Sequence, residues 1–171
     1  MPGVQLTVGE QDRVIVLRER ALLHEFGPGA RALPNDCGVD CALFFVFCGE
    51  LTLPLEGTIA GPSASGGGGD PVIVKGTIRY RILEPGPVLL KLLHYGSPAL
   101  EPLTTWLRSA TLERLGDALG AEAPPASAPF DALCAKVLED ARPLRSEGIE
   151  LTALSLQSIS PEASRAPVSP G

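Results

Sequence analysis

Residues 71–83, PVIVKGTIRYRIL, alternate between apolar and polar side chains more regularly than the rest of the chain. The apolar set is Val72, Val74, Ile78, Tyr80 and Ile82, and the polar set is Lys75, Thr77, Arg79 and Arg81. Successive side chains of a strand point to opposite faces, so this alternation predicts a strand with one buried and one solvated face. The following Pro85-Gly86-Pro87 predicts the end of that strand.

On the N-terminal side, two short apolar runs predict a β-hairpin. Residues 13–17, RVIVL, and residues 21–26, ALLHEF, are separated by the polar triplet RER. A strand, a tight polar turn and a second strand are typical of a hairpin. Gly27-Pro28-Gly29 then stops the second strand, because proline lacks a backbone donor and glycine permits positive φ. We interpret these three residues as a structural turn.

A second strand pair is predicted further along. Residues 39–47, VDCALFFVF, form the strongest apolar run and predict a buried strand, and residues 50–55 follow after Gly49. Pro54 favours an edge position or an early end for the latter strand, since proline cannot donate to a neighbouring strand. Residues 57–70 are rich in glycine and serine and predict a flexible loop.

After the alternating strand the pattern becomes helical. Helices are predicted over residues 88–96, 101–119 and 130–141, and a last strand over 149–159. The apolar parity of that strand switches near Ala153, which predicts a bulge. Strands gathered first and helices afterwards predict an α+β fold, a mainly antiparallel sheet with helices packed on one face.

Length and apolar content fit one domain. The chain has 171 residues, of which 44% are hydrophobic. We predict an N-terminal segment over residues 1–9, the domain over 10–162 and a disordered tail over 163–171. The 14 basic and 20 acidic residues give a net charge of −6, which disfavours nucleic acid as a partner. The sequence shows no signal peptide and no apolar run of about 20 residues, so a cytoplasmic protein is expected.

No motif of a known catalytic, cofactor or metal site stands out. Gly67 occupies the position where a phosphate-binding loop following Gly61 needs lysine. The four cysteines are Cys37, Cys41, Cys48 and Cys134. They form no CxxC pair and have no histidine near them in sequence, so we interpret them as buried free thiols. The prediction is a non-enzyme with no cofactor and no metal ion.

Lys75, Arg79 and Arg81 form a basic stripe on the polar face of the alternating strand. The plain interpretation is a solvated face, and the alternative is contact with lipid headgroups or an acidic partner. A different class of function is a small-ligand-binding domain or enzyme that uses a groove between sheet and helices. Its site residues would be His24, His94, Arg79 and Arg114, although each histidine alone fits a structural role.

Four stretches together resemble the SPFH (band 7; stomatin, prohibitin, flotillin) domain family. In order, they are RVIVLRERALLHEFGPGARALP at 13–34, PVIVKGTIRYRILEPGPVLLKLL at 71–93, PLTTWLRSATLERLGDAL at 102–119 and GIELTALSLQSISPE at 148–162. The similarity spans residues 10–162 and is closest to bacterial cytoplasmic members without a transmembrane anchor.

The resemblance implies a non-catalytic scaffold or adaptor that associates with other protein chains. Members of the family are mostly not enzymes; they oligomerise, often on membranes. A homo-oligomer is therefore expected, with peripheral contact at the inner face of the membrane as a further expectation. The candidate surfaces are the edge at residues 51–55, the basic stripe and the strand at 149–159.

Overall fold

Most strands of this protein precede its helices, and one strand closes the chain. A computed structural model describes residues 4–62, 69–94, 100–121 and 130–162. The strands are β1 (Gln5–Val8), β2 (Asp12–Arg18), β3 (Ala21–Phe26), β4 (Gly29–Ala32), β5 (Cys41–Phe47), β6 (Leu51–Ala60), β7 (Pro71–Ile82) and β8 (Ile149–Pro161). The helices are α1 (Pro85–His94), α2 (Leu100–Ala121), α3 (Asp131–Asp140) and a 3₁₀ helix (Arg142–Glu147). The α+β class is confirmed, whereas the predicted tail at 163–171 lies outside the described residues.

In the described ranges the strands form three antiparallel sheets, where the sequence had predicted one main sheet. Their orders are β6-β7-β8, β3-β2-β5 and the two-stranded ribbon β1-β4. The predicted pairing of β5 with β6 is wrong, because β5 pairs with β2 and β6 pairs with β7. Pairing with β2 sets Phe44 opposite Ile15, so both side chains pack on α1. The predicted hairpin of β2 and β3 is confirmed.

The alternating strand is the centre of the largest core. In β7, Val74, Ile78, Tyr80 and Ile82 are buried, as predicted, and Val72 is half-buried. Against this face pack α2 and α3, whose predicted apolar stripes are confirmed by buried residues such as Leu107, Leu115 and Val137. Full burial of one such side chain contributes roughly 1.5–3 kcal/mol, so the sheet β6-β7-β8 and its helices hold the protein together.

The predicted loop over 57–70 is wrong at its beginning. Strand β6 continues to Ala60, and residues 57–60 pair with residues 71–74 of β7. Gly57 suits this position because a Cβ there would collide with the Leu112 side chain of α2. The edge position predicted from Pro54 is confirmed. Residues 63–68 lie outside the described part of the chain.

Strand β2 is covered on both faces. On one face Ile15 and Leu17 pack against Leu89 of α1. On the other, Val14 and Val16 pack against Val8 of the β1-β4 ribbon. The predicted separate segment over residues 1–9 therefore needs correction, since Gln5–Val8 pairs with β4 and helps to cover β2.

The turn at Gly27-Pro28-Gly29 joins β3 to β4. Gly29 has a φ of 103°, a backbone conformation that residues other than glycine rarely adopt. Arg31 holds the turn, because its Nη2 donates to the Pro28 carbonyl at 2.8 Å and its Nε to that of Gly27 at 3.2 Å. The turn thereby directs the chain from one sheet into another.

Strand β8 contains the predicted bulge. Its register against β7 shifts between Arg79 and Tyr80, next to Ala153. A second shift, between Lys75 and Gly76, was not predicted. At Gly76 the two strands are so close that a Cβ would collide with the Ser155 carbonyl oxygen. Pro85-Gly86-Pro87, predicted to end β7, forms the first turn of α1, where proline is tolerated.

Candidate functional site

The basic stripe of β7 is exposed, and each of its cations has an acidic partner. The pairs are Lys75–Glu56 at 3.2 Å, Arg79–Glu50 at 2.9 Å and Arg81–Glu150. Because β7 is the central strand, the carboxylates come from both sides, two from the β6 side and one from β8. The stripe is thus the middle row of a salt-bridged face, where each cation is offset by a neighbouring carboxylate.

Two of these carboxylates have further donors. Glu150 is 11% exposed and accepts hydrogen bonds from Arg81 and from Arg145. The Arg81 hydrogen bond, followed by the charge of Arg145, lowers the pKa of the Glu150 carboxyl. Glu50 accepts from the Thr152 hydroxyl at 2.6 Å, and this bond is the main cause that lowers its pKa. Both acids are therefore ionised at neutral pH.

Strand β5 presents an exposed apolar surface. Leu43 is 38% exposed, Phe45 63% and Phe47 43%. Within the described residues β5 pairs with β2 on one side, so its other side is a sheet edge with unpaired backbone groups. The predicted burial of this strand is wrong, because none of its residues is fully buried. Phe44 is half-buried against α1, and Val46 is half-buried against α1 and the main core, while Leu43, Phe45 and Phe47 are exposed.

The exposed residues of β5 lie on the same sheet face as Val14 and Val16 of β2, which the β1-β4 ribbon covers. Leu43 lies opposite Val16, and Phe45 lies opposite Val14. Directly opposed residues of neighbouring antiparallel strands share a face. The β1-β4 ribbon covers the β2 part of this face, where Val14 and Val16 are buried, but leaves Phe45 exposed. An uncharged edge strand of this kind, with large apolar side chains, is a typical site for pairing with another chain.

One end of the same face holds a cluster of polar and sulfur-bearing side chains. The Nε2 atom of His24 lies 3.3 Å from both carboxylate oxygens of Asp36. The donor atoms of His24, Asp36 and Cys37 all lie within 4.8 Å of one another. Arg18 Nη2 donates to the main-chain oxygen of Asp36 and lies 3.7 Å from the Cys41 sulfur. No local pattern in the sequence indicates this cluster, because strand pairing and a chain reversal bring His24 to the cysteines.

The four thiols are free, and their burial differs from the prediction. Cys134 is buried, while Cys37, Cys41 and Cys48 are half-buried. Burial raises the pKa of the Cys37 thiol, and the neighbouring Cys41 thiol and Asp36 carboxylate raise it further.

The four residues predicted for the alternative ligand site lie on four different elements, and three of them have known contacts. His24 contacts Asp36, and Arg79 pairs with Glu50. Arg114 donates to the main-chain oxygens of Ala110, at 2.8 Å, and Asp140, at 3.2 Å. His94 lies at the end of α1, on a different element from all three. His24, Arg79 and Arg114 therefore contact separate groups and do not form one site.

A groove does exist between α1 and α2, with a volume of about 630 Å³. Its apolar lining includes Val88, Leu92, Leu103 and Ile149. Lys91 lies at its border, paired with Glu147 and 5.8 Å above the centre of the Trp106 ring. The groove thus combines apolar walls with one cation, Lys91, and two carboxylates, Glu101 and Glu147.

Comparison with known proteins gives no assignment. No family model matches the chain, and no curated protein matches it. None of the helices in the described residues is both long and apolar enough to cross a membrane.

Proposed function

We propose that this chain is a non-catalytic, SPFH-like scaffold domain that associates with copies of itself through β5. The observation that carries the proposal is the uncharged edge of β5, which is unpaired among the described residues and exposes Leu43, Phe45 and Phe47 on one face. Soluble proteins usually protect such an edge with a charge, a proline or a bulge. Within Cys41–Phe47 none of these devices is present.

A second copy of the same chain is the partner that fits this edge best. β5 has seven residues, so an antiparallel pair related by a two-fold axis at Phe44 sets Leu43 of each copy opposite Phe45 of the other. Apolar pairs of this kind stabilise neighbouring strands. Each chain has a net charge of −6, so two copies repel each other at long range, and contact through an uncharged surface avoids adding close repulsion between like charges. β5 provides such a surface.

The order of elements supports the SPFH part of the proposal. A hairpin, a glycine–proline turn, an alternating strand, helices and a closing strand follow one another over residues 10–162, in the order that the resemblance implies. Membrane contact through the basic stripe is the weaker part, because Glu56, Glu50 and Glu150 offset its charges. Flotation with anionic vesicles tests it, and absence of binding removes a membrane role for the stripe.

Sedimentation or light scattering over a concentration series up to the millimolar range tests self-association. The wild-type protein should shift to a dimer or larger species as concentration rises. Phe45→Lys should weaken association at least about tenfold, since the introduced charge would lie opposite the apolar Leu43 of the other copy and diagonal to the same charge on that copy. Leu83→Lys is the matched control, because Leu83 is also exposed, at 42%, and lies outside β5.

Two results would overturn the proposal. A wild-type protein that stays monomeric throughout the series excludes self-association. Equal association by Phe45→Lys, Leu83→Lys and wild type excludes β5 as the contact. Circular dichroism of each variant shows that the fold is retained before the sizes are compared.

The groove between α1 and α2 supports a second candidate function, the binding of a small apolar acid. Its apolar walls would hold the hydrocarbon part, and Lys91 would exchange Glu147 for the ligand carboxylate. Trp106 is the single tryptophan of the sequence, so its fluorescence reports on the groove directly. Titration with medium-chain fatty acids should change the emission if the groove binds them, and Lys91→Met should reduce that response.

A further inference from the structure

We propose that His24, Asp36 and Cys37 form a binding site for a divalent metal ion of the zinc class. The three side chains offer an imidazole nitrogen, a carboxylate oxygen and a thiol sulfur, which are the ligand types that Zn²⁺ takes in proteins. They come from β3 and from the connection between β4 and β5. The inference is independent of self-association through β5.

The spacing of the donors fits a tetrahedral ion. Bonds of about 2.0 Å to nitrogen and oxygen place two such ligands roughly 3.3 Å apart at the tetrahedral angle. His24 Nε2 lies 3.3 Å from each oxygen of Asp36. The Cys37 sulfur completes a set within 4.8 Å. A zinc–sulfur bond of about 2.3 Å would place the sulfur roughly 3.5 Å from the other donors, so metal binding requires it to approach them by up to about 1.3 Å.

A simple ion pair does not account for the whole cluster. An exposed histidine–carboxylate pair contributes at most about 1 kcal/mol and requires no sulfur beside it. Asp36 is exposed, while His24 and Cys37 are half-buried, so an ion can reach the site from solvent and still be held against the sheet. Thiolate is also the ligand that favours zinc over the more abundant magnesium and calcium.

Arg18 lies next to the cluster. Its Nη2 is 3.7 Å from the Cys41 sulfur. An ion of charge +2 is neutralised by one carboxylate and one thiolate, those of Asp36 and Cys37. Arg18 also donates to the main-chain oxygen of Asp36, so it holds the ligand-bearing connection in place.

Titration of the reduced protein with Co²⁺ tests the site. Co²⁺ replaces zinc in tetrahedral sites, and a thiolate ligand produces a near-ultraviolet charge-transfer band. The wild-type protein should develop this band to saturation at a single equivalent and lose it when Zn²⁺ is added. His24→Ala and Cys37→Ser should each weaken binding on the order of 100-fold or more, since even residues outside the ligand set cost 10–100-fold.

Cys48→Ser is the control, because Cys48 is a half-buried thiol outside the cluster. It should bind Co²⁺ like the wild type. Absence of the band in the wild type, or equal affinity of His24→Ala and wild type, overturns the proposal.

A second measurement needs no substitution and so does not depend on the folding of a variant. Iodoacetamide labelling of the wild-type protein, read by peptide mass spectrometry, should show that Zn²⁺ protects Cys37 and leaves Cys48 unprotected. Equal labelling of Cys37 with and without Zn²⁺ would exclude it as a ligand.

Discussion

Replacing Glu150 with glutamine should destabilise the protein by about 1–2 kcal/mol at neutral pH. Glu150 is 11% exposed and accepts hydrogen bonds from Arg81 and Arg145. A hydrogen bond to a charged group contributes roughly 1.5–3 kcal/mol. Both arginines are exposed and regain water when the charge is lost, so we expect well under the sum of two such bonds.

The effect should depend on pH in a defined direction. Because the pKa of Glu150 is lowered by folding, its stabilisation is fully present above the unfolded pKa, about 4.3 for glutamate, and is lost as pH falls through the folded pKa. The free-energy difference between wild type and Glu150→Gln should therefore be largest near pH 7 and shrink toward about pH 3.

Urea denaturation at a series of pH values measures both quantities. A loss of 1–2 kcal/mol also corresponds to a fall in melting temperature of roughly 2–8 °C for a chain of this size. Glu139→Gln is the control, because its contact with Arg142 at 3.6 Å joins two exposed side chains and contributes about 0.5 kcal/mol at most. Glu150→Gln as stable as wild type at pH 7, or a difference that does not change with pH, would refute the reasoning.

Three further substitutions test the fold by thermal or urea denaturation. Gly29→Val should cost about 1–3 kcal/mol because Gly29 has a φ of 103°, and Gly27→Val, at a position whose Cβ meets no atom within 4 Å, should cost less. Leu107→Ala should cost about 2–5 kcal/mol, since the side chain is 0% exposed; a smaller loss would mean that α2 packs loosely. Gly76→Val should cost at least about 1–3 kcal/mol through its collision with the Ser155 carbonyl, and an unchanged stability would contradict the close approach of β7 and β8.

The elements that the sequence predicted well are those with a repeating pattern of their own. The alternation around Ile78 and the stripe through Leu107 and Leu115 each specify an element and its buried face without reference to the rest of the chain. The bulge near Ala153 was also predictable, because the apolar residues of β8 change from one face of the strand to the other at that point in the sequence.

The misses concern interactions between distant segments. β5 pairs with β2, and its Phe44 and Val46 pack beside Leu89 of α1, a contact between distant segments that no local pattern contains. Gly57 was assigned to a loop because glycine is common in loops. In the fold it lies in β6, where the absence of a side chain makes room for Leu112. The same holds for the candidate metal site, since His24 and Cys37 meet through strand pairing and not through spacing in sequence.

Val46 gives β5 a second role, because it links two hydrophobic cores of the protein, that of the β6-β7-β8 sheet and that beneath α1. Its side chain packs against the core of the β6-β7-β8 sheet and also against the cluster of Ile15, Leu17 and Leu89. A partner bound along the outer edge of β5 would therefore stabilise a strand on which both cores depend. By thermodynamic linkage, assembly would raise the melting temperature of the whole fold, which would then vary with protein concentration.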